Sequence, residues 1–440
     1  MLHTSIYLPY YRDMANIYSS RIQKTLKLLK QSKAAEALVL SSAPPAVRSR
    51  DTHYPYRQNS DLFYLTGSHH QELNLVLRPH AKDKIVLMAP PKDPVRVVWD
   101  GEQPSLKPLA HALGATLHQS SNPLSAVREL LRGVEVAHLQ TAPGSVSGEI
   151  RRELGSLSAL HLRNLPSRVG DAELFLATLR CIKDSHEVAA IREAAKLTSA
   201  TLIHAAQYIR RGMREREVAA LIDYFYRSNG AEPSFGTIVA TGKSAATLHY
   251  RALDRTLRAG ELVLIDTGCE LDMYACDVSR TIPVEGEVAP ELEAVYSAVV
   301  SAQHAAIKTV RAGVHISAVY KAAAVELTHG LKELGVLRGK VSQLVAKGAF
   351  KPWFPHGIGH SLGIDVHDVS PNPSERLGVL QPGMVITIEP GLYFSQKTAH
   401  VPACGVRIED DVLVTSRGCA ILTEGVFPTD LEQVYGLVNP

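Results

Sequence analysis

Apolar and polar positions alternate differently in two parts of the chain. Over residues 1–176, short apolar runs are interleaved with segments of helical period. "RIQKTLKLL" brings Ile22, Leu26 and Leu29 onto one helical face. "ALVL", "DLFYLTG", "LNLVLRP" and "KIVLMAP" have the length and composition of strands. Together they predict a small α/β domain. The loop-like "LRNLPSRVGD" then leads to the long helical stretch "KDSHEVAAIREAAKLTSATLIHAAQYIRRG", where Asp184, with Glu187 three residues on, makes a capping box and Gly212 supplies the stop. The domain boundary is expected near residue 176, with residues 177–440 forming the second domain.

That second part repeats itself faintly. "LRAGELVLID" (Leu257 to Asp266) and "LQPGMVITIE" (Leu380 to Glu389) share a Leu, a Gly three positions on, an apolar strand and a final carboxylate. The preceding segments "IRRGMREREVAALID" and "VRAGVHISAVYKAAA" also align without gaps, each a helix end, a Gly and a new helix. Two half-domains, each ending a strand in an acid, predict a pseudo-two-fold arrangement in which carboxylates meet at the centre.

Composition narrows the class without naming it. The chain has 440 residues, 45% apolar and 21% charged, and a formal net charge of +3, so it has room for two cores and lacks the basic excess of a nucleic-acid binder. Neither a membrane-spanning apolar stretch nor the basic-then-apolar start of a signal peptide is present, which makes the cytoplasm the expected location and excludes a membrane partner. Five cysteines (Cys181, Cys269, Cys276, Cys404 and Cys419) without any CxxC spacing are expected to be reduced, mostly buried thiols.

The chemistry concentrates in the second domain. In "LVLIDTGCELDMYACDVSRT", Asp266 and Asp277 flank a turn expected at Leu271 and Asp272, and a symmetric hairpin would set them directly opposite each other. Like charges so placed need compensation, for which a divalent cation is the economical candidate; side chains turned to solvent at a hairpin edge are the alternative for this pair taken alone. Glu389 in "MVITIEPGLYF" and Glu409 in "GVRIEDDVLVT" are two more acids in apolar strands, with Arg407 on the same strand face as Glu409. Burying four acids unpaired would be costly. Four carboxylates and one imidazole suit two hard or borderline divalent ions, Mn(II) first, with Co(II), Zn(II) or Fe(II) as substitutes. The imidazole comes from "HGIGHSLGIDVHD", where Gly357, Gly359 and Gly363 are expected to allow close backbone approach, and where three histidines divide between one metal ligand and two proton or oxyanion partners.

At these residues the chain resembles the pita-bread metallopeptidases, and within them the proline-specific aminopeptidases of the aminopeptidase P type. "HGIGHSLGIDVHD", "DTGCELDMYACD", "IEPG" and "GVRIEDD" are similar to that family's motifs in order and spacing, and "YPYRQNSDLFYLTG" is similar to the hallmark of its N-terminal accessory domain. The resemblance implies an α/β N-terminal domain followed by an α+β pita-bread catalytic domain with a pseudo-two-fold internal repeat. It implies Asp266, Asp277, His360, Glu389 and Glu409 as ligands of two divalent ions. His249, His356 and His367 are implied as supporting and substrate-binding histidines, Arg407 as the group behind the metals, and Glu389 also as proton shuttle. Trp99, in "VVWDGEQ", resembles a tryptophan lent to a neighbouring subunit's pocket, which implies a homodimer or homotetramer; packing within the N-terminal core is the alternative for this side chain.

The implied reaction is release of the first residue from peptides with proline second (Xaa-Pro-Yaa), with a prolidase acting on Xaa-Pro dipeptides as the alternative. A relative that only binds peptides would have lost ligands, and all five are here. Two departures touch substrate-facing loops: Cys276 stands where Gly is usual beside the second Asp, and "LHY" is followed by "RALD" rather than a polar "TEN"-like segment.

Overall fold

The computed structural model describes residues 7–156, 165–372, 377–425 and 427–438, with side chains from residue 16 onward. The chain divides into two compact units, residues 1–178 and 179–440. The first unit is built on a six-stranded mixed sheet. Its strand Glu36–Ser41 runs antiparallel to Asn74–Leu77 and parallel to Val136–Leu139. Val39, Val76, Val86, Ala137 and Leu139 form the core between this sheet and helices such as Pro123–Leu130 and Val146–Ser156.

Three of the four apolar runs read as strands are strands, and the fourth is not. "DLFYLTG" lies in the helix Ser60–Thr66, started by Asn59, whose side chain accepts from the Leu62 N–H, and stopped by Gly67 in the left-handed conformation. Every residue of that helix is buried, so its sequence carries no polar face to betray a helical period. "LRNLPSRVGD" is also more ordered than expected: residues 162–164 fall outside the described residues, but Arg168–Asp171 is a strand.

In the second unit the capping box is present, with Asp184 accepting from the Glu187 N–H and Glu187 from the Asp184 N–H. The helix it starts, Ser185–Tyr208, ends at Ile209, before Gly212. The internal repeat is written into the hydrogen bonds. Gly212 donates to Leu257 and Leu257 to Met213, at 2.9 and 2.8 Å; Gly313 donates to Leu380 and Leu380 to Val314, also at 2.9 and 2.8 Å. Each half packs two helices on antiparallel strands. Ser185–Tyr208 and Glu215–Ser228 cover Ile238–Thr241, Leu262–Thr267 and Val278–Pro283. Pro290–Thr309 and Ile316–Glu333 cover Val385–Ile388, Gly391–Phe394, Cys404–Arg407 and Asp410–Val414. The halves meet where the Glu409 N–H donates to the Ser279 carbonyl and the Arg407 N–H to the Thr281 hydroxyl. Acids that end or follow these strands therefore converge on one seam. Among the described residues no helix is long and apolar enough to cross a membrane, and all five cysteines are free, four of them buried.

Candidate active site

The two aspartates are brought together in a different register from the expected one. The hairpin turns at Asp272 and Met273, both in the left-handed region with φ of 49° and 68°, one residue later than Leu271 and Asp272. Asp266 therefore pairs with Ser279, and Asp277 lies two residues before Ser279, just ahead of the partner strand. A shift of two keeps both side chains on one face, as diagonal rather than direct neighbours.

The "HGIGH" stretch lies along the strand Val385–Ile388. The His360 N–H donates to the Thr387 hydroxyl, the Thr387 N–H to the His360 carbonyl, and the Glu389 N–H to the Ile358 carbonyl. Gly359 permits this approach, since a Cβ there would stand 1.8 Å from the Thr387 carbonyl oxygen. Gly363 is crowded by side chains instead, with the Asp368 carboxylate 2.2 Å from where its Cβ would be, and Gly357 has no comparable crowding. Only Gly359 of the three glycines fits the expected reason of close backbone approach.

Asp277, His360 and Glu409 each offer a ligand atom within 4.8 Å of the others. His360 Nε2 lies 3.4 Å from Asp277 Oδ2 and 3.9 Å from Glu389 Oε1. Its Nδ1 donates to the Ser361 carbonyl at 3.1 Å, which orients the ring with Nε2 facing the acids, as a metal-binding imidazole needs. Arg407, 4% exposed, ties the rest together. It donates to Asp266 Oδ2 at 2.6 Å, to the Ser279 hydroxyl at 2.7 Å and to the Tyr393 hydroxyl at 3.0 Å. Ser279 in turn donates to Glu409 Oε2 at 2.8 Å.

One guanidinium does not neutralise this group. Burial, then the charges of Asp266, Asp411 and Glu389, push the Asp277 carboxyl well above its ordinary value against the pull of Arg407. Burial and repulsion from Asp277, Glu389 and Asp266 do the same to Glu409, and burial raises Glu389 despite His360 and Arg407. Asp266 Oδ1 and Asp411 Oδ1 are buried with no hydrogen-bond partner among the described residues. Orphaned carboxylate oxygens, mutually repelling acids and an imidazole nitrogen facing them form a donor set that fits divalent cations.

The remaining predicted residues surround this cluster. His356 donates from Nδ1 to the Gly357 carbonyl and accepts at Nε2 from the Tyr393 hydroxyl; its Nδ1 is 3.8 Å from Glu389 Oε2. Burial and the Arg407 charge push its pKa down to about 4, so it is neutral at neutral pH. His367 is exposed, its ring centroid 4.2 Å from that of His360. His249 is exposed and close enough to His356 to act on it electrostatically. Trp99 stands apart from this group in sequence and in unit: it lies in the helix Pro94–Asp100, 82% exposed, which overturns the alternative that it packs in the N-terminal core.

Several residues went unrecognised in the sequence. Arg180 and Lys183 clamp the loop that carries His367: Arg180 donates to Asp365 and Asp368 at 2.7 and 2.6 Å, and Lys183 to Asp368 at 2.9 Å. The Asp368 N–H closes the loop onto the Ser361 carbonyl at 2.9 Å. Ser279 and Tyr393 were missed as well, although Ser279 lies two residues after Asp277 in a strand, and that spacing was the available signal.

The model of metallopeptidase family M24 matches residues 189–416, and the model of the aminopeptidase P N-terminal domain matches residues 18–137. The chain belongs to metallopeptidase family M24. Its M24 part contains every acid and histidine described above, and membership makes it a hydrolase that works with divalent metal. The M24 relatives include the Xaa-Pro aminopeptidase of Escherichia coli (strain K12), 34% identical over 418 residues that cover 92% of this chain and 95% of the relative. Among solved structures, Pseudomonas aeruginosa aminopeptidase PepP superposes with a TM-score of 0.87 at 34% identity, covering 96% of this chain and 98% of the other. Aminopeptidase P from E. coli with the inhibitor Pro-Leu gives 0.88 at 32% identity and the same coverage.

Proposed function

We propose that this M24 enzyme is an Xaa-Pro aminopeptidase that releases the first residue of peptides with proline in second place. The observation that carries the reading is the convergence of Asp277, His360 and Glu409 on one point within a chain that matches Xaa-Pro aminopeptidases over nearly its whole length. The prolidase alternative is not favoured, because the relatives matched over more than nine-tenths of the chain are aminopeptidases.

In this reading Asp266, Asp277, His360, Glu389 and Glu409 hold two divalent ions, Mn(II) first, with Co(II), Zn(II) or Fe(II) as substitutes. Such ions supply a nucleophilic water at neutral pH and polarise the scissile carbonyl. Arg407 keeps Asp266 and, through Ser279, Glu409 aimed at the centre. Glu389 moves the proton to the leaving proline nitrogen. It suits that role because its side chain is 20% exposed where those of Asp266 and Asp277 are 12% and 7%, so it is the acid most open to substrate. His367, exposed beside His360, donates to the oxyanion as the carbonyl becomes tetrahedral. His356, held neutral and oriented by Tyr393, and His249 line the path of the peptide. Exposed Trp99 is assigned to a neighbouring subunit's pocket in a homodimer or homotetramer, and five free cysteines agree with a reducing, cytoplasmic setting.

A panel of Xaa-Pro, Xaa-Pro-Yaa and Xaa-Ala-Yaa peptides under Mn(II) tests the substrate class. The expected order of kcat/KM puts Xaa-Pro-Yaa first, because a longer peptide extends toward His249 and a pyrrolidine fixes the backbone. A dipeptide that outperforms Xaa-Pro-Yaa with the same first residue would transfer the enzyme to the prolidases.

A further inference from the structure

The segment "HYRALD", one of the two departures from the family's pattern, holds an arginine that the mechanism above leaves unused. Arg251 is exposed and follows His249 by two residues, which places their Cα atoms at most about 7 Å apart. Its guanidinium lies against Gly236: a Cβ built there would stand 2.5 Å from Nη1 and 3.7 Å from Cζ. Gly236 precedes by two residues Ile238, the strand position paired with Asp266. The cation is thus held beside the loop that leads directly into the strand flanking the metal-site acid.

Arg251 has neither an ion pair nor a hydrogen bond among the described residues, whereas several arginines of the same half-domain are paired. Arg211 pairs with Glu285 at 3.4 Å, Arg227 with Glu232 at 3.0 Å, and Arg214 donates to the Asp254 carbonyl at 3.3 Å. The nearby acids take hydroxyl donors rather than this guanidinium: Asp254 accepts from Tyr250 at 2.8 Å and Asp223 from Thr237 at 3.2 Å. A guanidinium parked over a glycine, without a counterion, two residues from a histidine assigned to the peptide beyond proline, has the chemistry to receive a carboxylate.

We propose that Arg251 is a specificity-determining residue that recognises a carboxylate on the substrate downstream of the scissile bond, so that the enzyme favours acidic peptides of the form Xaa-Pro-Asp/Glu. The inference rests on the Xaa-Pro aminopeptidase reading. The carboxylate has two sources, an acidic third residue or the terminus of a tripeptide, and both share the chemistry. Because the site is open to solvent, the preference is modest, up to about fivefold, expressed in KM and weakened by salt.

The test compares kcat and KM of the Mn(II)-loaded full chain on Ala-Pro-Glu-amide, Ala-Pro-Gln-amide and Ala-Pro-Gln with a free terminus, at low and high ionic strength. A lower KM for either anionic peptide than for the neutral amide is expected, shrinking with salt. Arg251→Gln should bring the ratio to about one, Arg251→Lys should keep part of it, and Arg258→Gln, on an exposed turn, should keep all of it. Equal KM values for all three peptides in the unmodified enzyme, or a preference that persists in Arg251→Gln, overturn the proposal. Failure to cleave any of the three would instead remove the aminopeptidase reading, and the inference would fall with it.

Discussion

Asp368 and Asp277 are both buried carboxylates of the catalytic unit, with side chains 2% and 7% exposed, yet their surroundings drive them in opposite directions. Burial alone would raise both. At Asp368 the Lys183 and Arg180 charges outweigh burial and hold the carboxyl below its ordinary value. At Asp277 the neighbours are Asp266, Asp411 and Glu389, and the carboxyl is driven well above it. The difference separates an acid the protein neutralises with its own cations from one that, in the proposed reading, it leaves for a cation from outside.

The largest expected effect follows from the acid-rich side. Exhaustive chelation should abolish Xaa-Pro-Yaa hydrolysis and Mn(II) should restore it, while the Asp368 clamp, which has its own cations, stays formed. Activity that survives with metal loss confirmed would break the comparison.

The clamp makes the next prediction. Asp368→Asn leaves Lys183 and Arg180 buried without their shared counterion, so it should cost about 3–5 kcal/mol of stability, a fall in Tm of roughly 10 °C. Metal content at the new working temperature should not change. The Asp368 pKa is depressed, so its stabilisation is present above the ordinary carboxyl range and disappears as pH falls through the folded-state value. The acid limb of the stability profile should therefore flatten in Asp368→Asn relative to the unmodified chain. An unchanged acid limb would mean that the pair contributes nothing.

His367 joins the two regions, since the clamped loop carries it to the ring of His360. His367→Ala should lower kcat by a barrier of about 2–4 kcal/mol with its metals retained, as expected for an oxyanion donor. His360→Ala should lose metal. Equal metal content and equal rates in the two variants, measured by elemental analysis and steady-state kinetics, would erase the division of labour between them.

How much of this was legible in the sequence varied with the kind of signal. Apolar runs with polar borders located strands, and the repeat located the seam, because hydrophobic patterning and Gly-terminated helix ends are local properties. The helix Ser60–Thr66 escaped because burial on all sides removes periodicity. The Asp266–Asp277 register was displaced by two because either Leu271–Asp272 or Asp272–Met273 could turn the chain, and pleat parity alone kept the acids on one face. Arg180 and Lys183 lie more than 180 residues from Asp368, in "TLRCIKD", where a charged residue has no pattern to mark its partner. The acids and histidines of the candidate site were legible because their embedding in apolar strands is costly and so calls for an explanation. The groups that orient them answer to contacts between segments distant in sequence.

The smallest expected effect has an unusual sign. Without metal, Glu409→Gln removes a repelling buried charge, so its Tm should rise by a few degrees over the metal-free parent, a gain of about 1 kcal/mol. With Mn(II) present, the order should reverse, because only the parent gains stability from the ions. A lower Tm for the variant in both conditions would show that Glu409 is already neutralised from within, as Asp368 is.

Calorimetric titration of the chelator-stripped enzyme with Mn(II), followed by hydrolysis of an Xaa-Pro-Yaa peptide at each step, tests the central claim most directly. The account predicts saturable binding of about two ions per chain, activity that appears only as the sites fill, and loss of both in Asp277→Asn. Full activity with less than one ion bound per chain, or unchanged binding in Asp277→Asn, would contradict it.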